Sequence, residues 1–140
     1  MNQTILFINY IIMGIIHIEN PEQFKKEVVE YKGLVVVDFR AEWCGPCRMI
    51  GPVMEELAHD NEATGVKVAK INVDNNPELA GAFQVSSIPV IFFMKDGQPV
   101  DTIIGANPKG VYQNKIDELL AEESKIVKMN DENDEIKMAA

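Results

Sequence analysis

The run Leu34-Val35-Val36-Val37-Asp38-Phe39 constrains the fold more than any other stretch, because its apolar residues follow one another without alternating with polar ones. A strand with one wet face alternates, whereas an unbroken apolar run is what a strand covered on both faces shows. Such a strand belongs inside a parallel or mixed sheet with helices on either side, which makes the chain α/β. The one acid in the run, Asp38, is costly to bury in its charged form.

The sequence around this run alternates between element types. Residues 14–18, GIIHI, form a short β-branched run, and Asn20-Pro21-Glu22-Gln23 reads as a helix start, with Asn as the cap and Pro at the first helical position. Phe24, Val28 and Tyr31 recur at helical spacing, and Gly33 is expected to end that helix. A second helical stripe runs through Met49, Ile50, Val53, Met54, Leu57 and Ala58, with Pro52 expected to kink it. VKVAKINVD reads as another buried strand, and Asn76-Pro77 opens a third helix reaching Phe83. VIFFM and DTIIG, joined across Asp96-Gly97, read as an antiparallel hairpin. Asn107-Pro108 then starts a helix with Tyr112, Ile116, Leu119 and Leu120 on one face. The predicted order is βαβαβαββα, a central mixed β-sheet flanked by helices on both faces.

The ends of the 140-residue chain differ from its middle. Residues 1–13 form an apolar N-terminal extension, read as an upstream start before Met13 or, alternatively, as part of an anchor or signal spanning residues 1–18. That alternative lacks a basic n-region and is shorter than a membrane span of about 20 apolar residues. Residues 14–121 are expected to be the folded domain, and residues 122–140, with six acids and three bases, an acidic helix end and solvated tail. A net charge of −9 without a basic run argues against nucleic acid as a partner.

Two cysteines are too few for a disulfide scaffold, so Cys44 and Cys47 are read as a site. Cys44 follows the buried strand and stands at the start of the second helix, where free N–H groups and the helix dipole favour a thiolate. Cys47, one turn further in, is placed to attack a mixed disulfide formed at Cys44. A zinc site would need His17 and His59 as well, and His59 lies about 12 residues, roughly 18 Å of helical rise, from Cys47. A static disulfide closing so small a loop would add little stability. A redox pair is favoured, with no metal.

The segment VVVDFRAEWCGPCRMIGP, followed in order by KINVDNNPELA, SSIPVIFFMKDG and IIGA, resembles the thioredoxin family from about Gly14 to about Ala121. The resemblance implies a protein-disulfide reductase: an enzyme-like electron carrier, cytoplasmic and monomeric, that reduces disulfide-containing client proteins. Thioredoxin reductase would recharge it. No cofactor would be bound beyond the redox-active disulfide, and NADPH and FAD would enter only through the reductase. The resemblance also assigns roles: Cys44 as nucleophile, Cys47 as resolving thiol, Asp38 as buried base and Lys70 as its partner. Pro89 corresponds to a cis-proline facing the dithiol. A client groove is implied along Trp43, Gly45, Pro46, Ile88, Pro89, Ile104, Gly105 and Ala106, with Gly45 letting a partner's backbone come close.

Two positions depart from the family pattern. Val90 stands where threonine is common, and Arg40 where an aromatic is usual. Arg40 has two readings, a guanidinium that tunes Cys44 and an Arg lying over the sheet edge toward solvent. Two other functions fit the same residues: a dedicated oxidoreductase at a membrane or in an exported space, and an accessory binding module whose thiols are incidental.

Overall fold

A computed structural model describes residues 14–139, with side chains through residue 135. The expected N-terminal extension, residues 1–13, lies outside the described residues. The chain divides after Asn107 into two compact units, taken here in turn.

The first unit is built on a five-stranded sheet of order β1-β3-β2-β4-β5. Its strands are β1 (Ile15–Ile18), β2 (Leu34–Arg40), β3 (Lys67–Asn72), β4 (Val90–Lys95) and β5 (Gln98–Ile104). β1, β3 and β2 run parallel, while β4 is antiparallel to both β2 and β5. The apolar run occupies the centre of the sheet, and Leu34 through Phe39 are all buried. Val35, Val37 and Phe39, alternate residues and so on one face, pack in a core with Ile18, Phe24 and Leu79. The rings of Phe24, Phe39, Phe83 and Phe92 join that core at centroid distances of 5.0–5.5 Å.

α1 (Pro21–Phe24) starts as its sequence predicts. Asn20 Oδ1 accepts from Gln23 N at 2.8 Å, and Gln23 Oε1 accepts in return from Glu19 N at 2.7 Å. The helix then widens into a π-helical segment, Lys25–Val29, closed by Glu30 N donating to Lys25 O at 2.9 Å. It therefore ends before Tyr31, which sequence spacing had placed on the helix. Tyr31 turns instead to the loop before β3, donating its hydroxyl to Gly65 O, while Lys67 Nζ sits 4.0 Å from its ring centroid. Gly33 meets the β4–β5 turn, where its N–H donates to Asp96 Oδ1 at 3.0 Å. Asp96 and Gly97 both have positive φ, 49° and 81°, the geometry a two-residue hairpin needs.

α2 (Gly45–Asp60) buries Cys47, Ile50, Met54, Leu57 and Ala58. Met49, expected on that stripe, is 74% exposed, because residue 47 rather than 49 begins the inward face. Pro52 lies within the helix and supplies no N–H to the ladder. α3 (Pro77–Ala82) is short and buries Leu79.

The second unit is one helix, α4 (Lys109–Ala139), entered just after Asn107-Pro108. Tyr112, Ile116 and Leu119, spaced by four and three residues, are its buried residues. The acidic segment from residue 122 continues this helix, with side chains through 135 exposed except for half-buried Glu123.

Candidate active site

The chain leaves β2 through Ala41-Glu42-Trp43, and Cys44 N donates to Ala41 O at 3.3 Å in that turn. Cys44 is the N-cap of α2, extended in backbone (φ −87°, ψ 109°), and its Sγ accepts from Cys47 N at 3.3 Å. A sulfur in that place meets the unsatisfied donors and the positive end of the helix, which favours a thiolate when the pair is reduced. Cys44 and Cys47 form a disulfide, with Cα atoms 5.2 Å apart. Cys44 is 5% exposed and Cys47 0%, both packed with Ala41 against Val73 and Ile88. Of the two cysteines, Cys44 alone reaches the surface.

Three other segments meet the pair. The Ile88 carbonyl oxygen lies 3.9 Å from Cys44 Sγ, and the following Ile88–Pro89 bond is cis. Gly105 N donates to Pro89 O at 2.8 Å, and Val90 pairs in register with Ile104, so residues 88–89 and 104–105 lie side by side. Trp43, 68% exposed, is held by its indole N–H donating to Asp74 Oδ2 at 2.9 Å. Beside it an open depression of about 410 Å³ is lined by Trp43, Val73, Val85, Ser86, Ser87 and Ile88. Gly45 and Pro46 lie between the two cysteines in sequence, and a Cβ added at Gly45 would meet nothing within 4 Å. Ala106 follows Gly105 and is exposed.

Asp38 lies on the face of β2 opposite the aromatic core, its Cα in register with Lys70 on β3 and Ile91 on β4. It is fully buried, and neither carboxyl oxygen has a hydrogen-bond partner among the described residues. Burial pushes its carboxyl from an ordinary 3.8 up to about 6, against the opposing pull of Lys70 and then of Arg40. A cation on Lys70 reaches α2, its Nζ lying 4.0 Å from where a Gly51 Cβ would stand. The Arg40 side chain is 16% exposed, and its Nη1 donates to the exposed Glu42 Oε1 at 2.8 Å. That bond holds the exposed Glu42 carboxyl below its usual range.

Val73, Asp74, Val85, Ser86, Ser87, Glu42 and Arg48 were not picked out by sequence reading, and all stand beside named site residues. Arg48 Nη1 donates to Glu42 O at 3.3 Å. The signal for several of them was position alone, since 73–74 and 85–87 are the loops at either end of α3. Among the described residues no group of three or more His, Cys, Asp and Glu is placed to hold a metal ion.

Comparison with known proteins gives a consistent picture. The family model described as thioredoxin matches residues 15–118. A thioredoxin of Chlorobaculum thiosulfatiphilum is 46% identical over 97 residues, covering 69% of this chain and 89% of that protein. Thioredoxin 1 of Synechococcus elongatus is 48% identical over 97 residues, covering 69% and 90%. Among solved structures, a mutant thioredoxin from Halobacterium salinarum superposes with a TM-score of 0.69 at 32% identity, covering 74% of this chain and 88% of that one. Oxidized mitochondrial thioredoxin 3 of Saccharomyces cerevisiae gives a TM-score of 0.67 at 32% identity, covering 74% and 94%.

Proposed function

The chain belongs to the thioredoxin family, and from that premise we propose how its residues divide the work of disulfide reduction. The protein is a dithiol–disulfide oxidoreductase whose redox group is the Cys44–Cys47 pair. Members of the family act on disulfide-containing proteins and are recharged by thioredoxin reductase, through which NADPH and FAD act.

In our reading Cys44 is the attacking thiol. The observation that carries this is its sulfur at the N-cap of α2, accepting an N–H, in a residue that keeps a little exposure while Cys47 has none. The Cys44 thiolate attacks one sulfur of a client disulfide, the other client sulfur leaves, and a mixed disulfide forms. Cys47 then gives its proton to Asp38 and attacks Cys44. The second client sulfur leaves as a thiolate and takes a proton, and two electrons have passed to the client. The enzyme is left as the disulfide seen here. Lys70 keeps the Asp38 carboxylate accessible, and the client backbone lies along Ile88-Pro89, Gly105-Ala106 and Ile104, over Trp43, Gly45 and Pro46. The domain working in this way is residues 14–121, acting as a cytoplasmic monomer. No described helix is long and apolar enough to cross a membrane.

The test is trapping. Cys47→Ser mixed with a disulfide client should accumulate a stable covalent complex through Cys44, and Cys44→Ser should accumulate none. A complex with the reverse dependence, or equal trapping by both variants, would exchange or erase the two roles.

A further inference from the structure

Alternate residues of β2 share a face, so Arg40 stands on the same side of the sheet as Asp38, with Lys70 in register with Asp38 and Asn72 in register with Arg40. The Arg40 side chain is mostly covered while its partner Glu42 is 76% exposed, so the guanidinium is anchored from outside by a carboxylate in solvent. Glu42 is itself fixed, its carbonyl accepting from Arg48 on the first turn of α2. Arg40 and Lys70 together line a polar cavity of about 130 Å³ with His17, Glu42, Asn72 and others. Asp38, in register with Lys70 and two residues before Arg40 on the same face, has no hydrogen bond to either oxygen among the described residues. Its ionisation is therefore governed by field and burial, not by donors.

We propose that Arg40 is a positioning residue for the resolving step: its guanidinium, anchored by Glu42, stabilises the ionised form of Asp38 and so sets the pH below which Cys47 loses its base. This rests on the reading of Asp38 as that base. In the step concerned, the Cys47 thiol proton moves to the Asp38 carboxylate. The Cys47 sulfur bonds to Cys44, the Cys44–client bond breaks, and the client sulfur departs with the electron pair. Arg40 moves no proton and touches no reacting atom. An aromatic at this position would fill space without supplying charge, so the base in this chain is expected to work at lower pH than with an uncharged residue at 40. Among the described residues the charged and titratable groups around this face include Arg40 and Glu42 from β2 and its exit loop, Lys70 from β3, His17 in the register row beside Lys70, Glu19 lining the same cavity, and Cys47 and Arg48 from α2. β4 contributes the apolar Ile91.

The experiment follows two readouts in wild type, Arg40→Gln, Arg40→Lys and Asp38→Asn: the pH titration of the Asp38 side-chain carboxyl carbon by NMR, and the pH profile of release of a model peptide from its mixed disulfide with Cys44. The direct carboxyl readout separates Asp38 from His17. In Arg40→Gln the carboxyl midpoint and the acid limb should both move to higher pH, leaving release about twofold slower at pH 6 and unchanged at pH 8. Arg40→Lys, which keeps a cation, should return both toward wild type. Arg40→Gln placed in Asp38→Asn should move nothing further. A midpoint that stays put in Arg40→Gln overturns the proposal while Asp38 remains the base if Asp38→Asn still slows release. A release profile unaltered by Asp38→Asn removes the base itself, and this proposal with it.

Discussion

A carboxyl group with both oxygens buried and unpartnered ionises only against the cost of leaving water. For Asp38 that cost has a sign in the stability curve. Below the unfolded value near 3.8 the group is protonated in both states and has no effect; as pH rises toward about 6 the unfolded chain ionises first and the native state loses ground. Above about 6 the penalty is constant, on the order of 3 kcal/mol at about 1.4 kcal/mol per unit. Asp38→Asn removes that pH-dependent part while leaving an unpartnered amide that costs about 1–3 kcal/mol at every pH. Urea unfolding at pH 4 and pH 7 should therefore show the variant gaining on wild type only at the higher pH. An equal difference at both would mean that Asp38 does not titrate between them. The acid and the cysteines were legible because a buried run and a helix start are written in consecutive residues. The Arg40–Glu42 and Trp43–Asp74 pairs were not, since loop geometry decides which exposed carboxylate meets which donor.

Among the elements, the β4–β5 hairpin shows how local and tertiary demands coincide. Asp96-Gly97 was readable as a turn from sequence, yet the turn is also wedged against the end of the first helix. A Cβ at Gly97 would stand 2.5 Å from Val29 O, at a φ of +81°. Gly97→Ala must strain the turn or displace Val29, and an expected loss of about 1–3 kcal/mol follows, measurable as a lower urea midpoint with unchanged slope. The same junction explains what sequence periodicity missed. Phe24 and Val28 sit where a regular helix would place them, but the π-helical turns at Lys25–Val29 end the helix before Tyr31. One extra residue per turn is chosen by what the segment packs against, and no propensity signals it. Met49 was misplaced for a related reason: an apolar residue in the first exposed turn of α2 looks the same in sequence as one turned inward.

At the scale of the whole molecule, strand direction gathers the site. The parallel strands β2 and β3 end on the same edge of the sheet, delivering the Ala41–Cys44 turn and the Val73-Asp74 loop together. β4, antiparallel to β2, begins at that edge with Pro89 before it, and β5 finishes there at Ile104. Ligand sites of open α/β sheets gather at such an edge; the element order did not give this arrangement, since a strand reached through α3 would be expected to run parallel to β3, and β4 does not. The full order of strands was less accessible: the unbroken apolar run marked β2 as interior, but nothing in consecutive residues says which strands flank it. Gly45 has a consequence at this same scale. It holds the first position of α2 with nothing near its missing Cβ, so alanine there should fit and, by helix propensity, raise stability by up to about 1 kcal/mol. Turnover should move the other way: Gly45→Ala is expected to melt no earlier than wild type and to reduce folded clients more slowly than it reduces a small aromatic disulfide, and equal slowing of both would argue against it. On that expectation the chain forgoes rigidity where a client's backbone would pass, and selection for melting temperature alone would be expected to fill in the missing methyl.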